Sequence, residues 1–138
     1  MTAKSTRRMV DPATGSQRLA IARGFRRGAQ DLHDGFRPGD TGNAVISLCV
    51  NAAIAYADAL CVKFGGFISK DQHDVAPRAL REAMKQRLPK SQETALKTIL
   101  NEKSASQYST RQFTQAEATA ILVRLKAFGD WAEAEMMT

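Results

Sequence analysis

The chain has 138 residues, 43% hydrophobic and 25% charged, with 20 Lys plus Arg against 14 Asp plus Glu and a formal charge of +6. Such a chain buries one real core; two domains, a disordered chain and a low-complexity linker are excluded. The basic excess is strongest at the front, where Lys4, Arg7, Arg8, Arg18, Arg23, Arg26, Arg27 and Arg37 face only Asp11, Asp31, Asp34 and Asp40. A basic segment of this kind attracts phosphate backbones or acidic partners, or serves as a solvated surface.

Residues 1–14 read as a flexible basic tail with a turn at Asp11-Pro12. A first helix is expected from Gln17 to His33, because Leu19, Ala22, Phe25, Ala29, Leu32 and Phe36 recur every three or four positions. Asp34-Gly35 and Pro38-Gly39-Asp40 break it. The second helix, Asn43 to Phe64, is apolar on most sides and stops at Gly65-Gly66. It is long enough to span a bilayer, but Ser47, Asn51 and Asp58 make it a buried central helix instead. A third helix begins between Lys70 and Asp74 and ends before Pro89, with Pro77 near its start. Arg78, Arg81 and Lys85 line up on it as a basic stripe, either a solvated face or a set of phosphate contacts. A fourth helix starts near Ser91 and runs toward Tyr108. A fifth is announced by Thr114 and Glu117 as a capping box and carries Ala118, Ile121, Leu122, Leu125, Phe128, Trp131 and Ala132. With no hairpin dipeptide and no internal repeat, the expected fold is all-α: an antiparallel bundle of four to five helices over residues 15–138.

Cys49 and Cys61 lie 12 positions apart on one helix, about 18 Å along its axis, too far to bridge. Two buried, reduced thiols and no signal-peptide pattern point to the cytoplasm and away from a membrane. Two histidines and no CxxC leave no metal or cofactor motif.

The polar residues on the second helix are the most informative. Asn51 and Asp58 are seven apart, nearly eclipsed on the helical wheel, and Ser47 lies one turn before Asn51. A buried carboxylate requires a partner. His73, just past the Gly65-Gly66 break, is the candidate, either as a structural tie or as part of a pocket.

The run from Asn51 through Asp58 to Cys61, then Asp71-Gln72-His73, Lys103 through Tyr108 and Phe113 through Ala118, resembles the small helical HEPN domains of prokaryotes over residues 43–135. The resemblance implies a compact bundle that dimerises. It also implies a place beside nucleotidyltransferases or in toxin–antitoxin pairs, where many members are ribonucleases. Active members use an Arg followed, after four to six residues, by a His. The Arg holds phosphate and the His moves a proton. The matching place here is Lys103, four residues, Tyr108, which keeps the charge but loses the fork and the neutral-pH base. Arg27, five residues, His33 matches literally, but chance supplies such a pair, and it lies in the first helix.

Three functions are therefore expected. The first is a cytoplasmic homodimeric domain that binds RNA, a nucleotide or a partner protein. The second is a metal-independent ribonuclease in which Lys103 takes phosphate, His73 moves the proton, Asp58 orients it and Tyr108 completes the cluster. The third is a non-catalytic accessory or antitoxin-type subunit. Asn51, Arg78, Arg81 and Lys85 are the accompanying binding candidates, and no cofactor is expected.

Overall fold

A helix that is apolar on most sides must be covered on most sides, and α2 (Asn43–Gly65) sets the architecture for that reason. In the computed structural model, which describes residues 7–69 and 72–138, with side chains for 8–69 and 75–138, every residue from Ala52 to Val62 is buried. The cover consists of α1 (Ala13–Asp34), α3 (Gln72–Met84), α4 (Lys90–Leu100), the short α5 (Lys103–Gln107) and α6 (Gln115–Met136), each of which touches α2. The protein is an all-α bundle. The core runs the length of α2 and continues into Leu80, Leu96, Ile99, Leu125 and Phe128 of its neighbours. Burying side chains of this size contributes about 1.5–3 kcal/mol each, which outweighs the Ser and Asn on the same rod.

The helix ends follow local chemistry. Gly66 adopts φ 75° and its N–H bonds the Val62 carbonyl, a left-handed C-cap that suits glycine. Lys63, in the last turn of α2, reaches across to α6. Its Nζ donates to the carbonyls of Glu135 (3.0 Å), Met136 (2.7 Å) and Thr138 (2.6 Å), which secures the C-terminal end of α6. The expected capping box at Thr114 is present: Glu117 N–H donates to Thr114 Oγ1 at 3.1 Å, and Thr114 N–H donates to Glu117 Oε1 at 3.0 Å.

Three local features depart from the expected elements. Residues 7–9 of the expected tail form β1 (Arg7–Met9), antiparallel to β2 (Phe67–Ser69), with Arg8 opposite Ile68. Phe67 and Ser69 point inward and Ile68 is half-buried, so a three-residue strand suffices to cover the end of α2. Next, α1 starts at Ala13, inside the expected tail and four residues before Gln17, whereas α3 starts at Gln72, within its expected range, with Pro77 inside it where it cannot donate to a preceding carbonyl. Finally, the expected fourth helix is two: α4 ends at Leu100 and α5 starts at Lys103. Leu96, Ile99 and Leu100 bury the α4 face, but Lys103, Ser104 and Gln107 offer nothing apolar to extend it, so the chain turns at Asn101-Glu102.

Candidate functional site

The turn between α4 and α5 opens a cleft against α3. Its volume is about 420 Å³, and Pro77, Arg78, Lys97, Leu100, Asn101, Lys103 and Ser104 line it. That volume is in the range of small-ligand sites, about 300–1,000 Å³. Each helix supplies one cation: Arg78 from the exposed face of α3, Lys97 from the last turn of α4, and Lys103 from the first turn of α5. Pro77 and Leu100 form an apolar floor, and Asn101 and Ser104 add neutral donors. Among the described residues no carboxylate lines this wall. Three neighbouring positive charges on one wall repel one another, and a bound anion relieves that repulsion.

Of the sequence candidates, Arg78 and Lys103 meet in this cleft. Tyr108 stands beside it, 74% exposed, with Lys103 Nζ 5.9 Å from its ring centroid. Arg81 faces elsewhere. Its Nη2 donates to Glu93 Oε1 at 2.9 Å, and its Nη1 donates to the carbonyls of Lys85 (2.7 Å) and Leu88 (2.9 Å). It thus ties α3 to α4 and holds the Glu93 carboxyl below its ordinary range. Lys85 is exposed just past the end of α3, with φ 55°, and does not line the cleft.

The polar line on α2 is split between two neighbours. Ser47 hydroxyl donates to Ser106 Oγ of α5 at 3.4 Å, and half-buried Asn51 follows one turn later. Asp58, 3% exposed, pairs with Arg18 of α1 (Nη2 to Oδ2, 3.1 Å). Burial pushes its carboxyl up to about 6, opposed by Arg18. Eleven residues separate Ser47 from Asp58, about 16 Å of helix. Within one chain, Asp58 therefore stands well away from the α5 end of α2, where Lys103 is found. The side chain of His73, the expected partner of Asp58, lies outside the described residues; its backbone opens α3.

Sequence reading missed two polar assemblies. At the junction of α1, α2 and α6, the buried Tyr56 hydroxyl donates to Glu133 Oε2 at 3.0 Å and receives Arg26 Nη1 at 3.5 Å. Arg23 Nε grips the two Glu133 oxygens at 3.1 and 3.0 Å, and Arg26 Nη2 bonds Asp130 at 2.8 Å. These arginines read as surface charge because the acids that bind them lie more than 100 positions away. The second assembly is Asn43, whose amide donates to the carbonyls of Ser106 (3.2 Å) and Arg111 (2.8 Å) and accepts from Phe113 N–H (2.9 Å). Those bonds fix the α5–α6 link against α2 and hold α5 at the cleft. Of the literal Arg–His pair, His33 is committed to α6: its Nε2 lies 2.6 Å from Thr119 Oγ1, a hydroxyl that itself donates to the Gln115 carbonyl.

Among the described residues, no group of three or more His, Cys, Asp or Glu side chains is gathered to hold a metal ion. The cleft supplies positive charge and hydrogen-bond donors, which suits holding an oxyanion. Its described walls carry neither carboxylate nor imidazole to move a proton. No protein-family profile, curated protein or solved structure matches this chain.

Proposed function

We propose that this protein is an RNA-binding helical domain that holds the phosphate backbone in the cleft between α3, α4 and α5. The observation that carries the reading is the convergence of Arg78, Lys97 and Lys103 on one wall without an acidic residue among the described lining. Paired arginines elsewhere in the molecule are neutralised by Glu133, Asp130, Glu93 and Glu117. The cleft gathers cations from three helices on one wall, where a polyanion can meet all of them. The likeness to HEPN domains agrees with an RNA ligand and a cytoplasmic setting, and the Lys103–Tyr108 pair in place of Arg and His agrees with binding in preference to cutting.

The test is titration of a labelled RNA of about 12 nucleotides at about 50 mM salt. Wild type should bind. The triple variant Arg78→Ala, Lys97→Ala, Lys103→Ala should bind at least ten-fold more weakly while unfolding at the same temperature. Equal binding by both would remove the cleft from the function.

A further inference from the structure

Resting on the RNA-binding reading above, we infer that Tyr108 is a stacking platform for an unpaired base, so that the ligand of this cleft is single-stranded RNA. Tyr108 is 74% exposed, whereas Tyr56 and Phe128 are fully buried and Phe113 nearly so. A large ring left in water loses the burial that aromatic side chains ordinarily gain. Its backbone is nevertheless fixed: the Tyr108 N–H bonds the Ser104 carbonyl in the closing turn of α5. The ring is an exposed surface on an anchored support.

The neighbouring charge makes that surface specific. Lys103 lines the cleft and also holds its Nζ 5.9 Å from the Tyr108 centroid. One residue thus joins the phosphate-binding wall to the ring. A strand whose phosphates follow Arg78, Lys97 and Lys103 brings its next base to Tyr108. Basic grooves edged by exposed aromatics bind single strands in this manner, because every base offers a π-face once it is unpaired. A duplex keeps its bases stacked inside and offers Tyr108 nothing to cover. Among the described residues, the other cations near aromatic rings serve structure, and Lys63 over Phe64 secures the end of α6. Arg111 lies 4.1 Å from the centroid of the buried Phe113 and is paired with Glu117, and Arg87 over Phe64 is paired with Glu135.

The experiment compares wild type, Tyr108→Ala and Tyr108→Trp against three probes: oligouridine, a blunt RNA duplex of equal length and inorganic polyphosphate. Tyr108→Ala should weaken oligouridine binding about ten-fold, Tyr108→Trp should restore it, and polyphosphate and duplex should bind all three proteins alike. Unchanged oligouridine affinity in Tyr108→Ala, with polyphosphate still bound, overturns the platform and leaves the cleft standing. Equal losses on all three probes overturn it as well, because Tyr108 would then be shaping the cleft. If wild type binds neither RNA nor polyphosphate, the cleft reading fails and the platform with it.

Discussion

Asp58 shows how a single side chain inside an apolar rod sets a measurable property of the protein. The folded state holds its proton more tightly than the unfolded chain does, because the carboxyl rises from 3.8 to about 6 on burial. Its contribution to stability is therefore greatest below about pH 4, falls as pH rises toward 6, and stays low above that. The rise corresponds to about 3 kcal/mol at about 1.4 kcal/mol per pH unit. Urea unfolding of wild type and Asp58→Asn should converge near pH 4 and separate in favour of the variant by pH 7. Parallel curves would contradict that origin. Tyr56 makes the complementary case, since its hydroxyl is buried and hydrogen-bonded to Glu133. Tyr56→Phe should lower stability by about 1–2 kcal/mol in thermal melts, with Arg23 still holding Glu133. That Asp58 needed a partner was legible in its apolar surroundings. That Arg18 would be one was not, because Arg18 reads in sequence as one more charge on an amphipathic helix.

Between elements, close approach matters more than propensity. Gly129 sits where α6 crosses α2; a Cβ built there would stand 2.8 Å from the Tyr56 ring and 2.9 Å from Arg26 Nη1. Gly24 on the exposed side of α1 has nothing within 4 Å. Gly129→Ala should cost about 1–3 kcal/mol through overpacking and disturb the Tyr56–Glu133 bond, whereas Gly24→Ala should stabilise by about 0.5–1 kcal/mol. Chemical denaturation distinguishes the two, and equal effects would contradict the tight crossing. The long helices were legible because their apolar residues repeat over several turns, as from Leu19 to Leu32 and from Ala118 to Ala132. The capping box was legible because it is a local exchange of two hydrogen bonds. The β1–β2 pair was not, since three residues cannot display a period and the pairing joins positions about sixty apart. The division of α4 from α5, which opens the cleft, is visible only as a lapse in the apolar face after Leu100.

At the scale of the whole molecule, an all-α bundle around one rod followed from hydropathy alone, while the site did not. Arg78 and Lys103 were singled out separately, one from a helical stripe and the other from a family likeness, and folding places them in one cleft with Lys97. Within one chain Asp58 lies toward the other end of α2 from Lys103, and the proposed binding reading predicts no cutting. RNA incubated with wild type in EDTA should remain intact; cutting that His73→Ala abolishes would instead favour a catalytic role. The most direct test of the central claim is the salt dependence of RNA binding for wild type and for Lys97→Ala, Lys103→Ala. Each phosphate contact to a single strand contributes about 0.7 to the slope of log affinity against log salt. Removing two contacts should flatten that slope by about 1.4. An unchanged slope, or a wild type that does not bind RNA at about 50 mM salt, would contradict it.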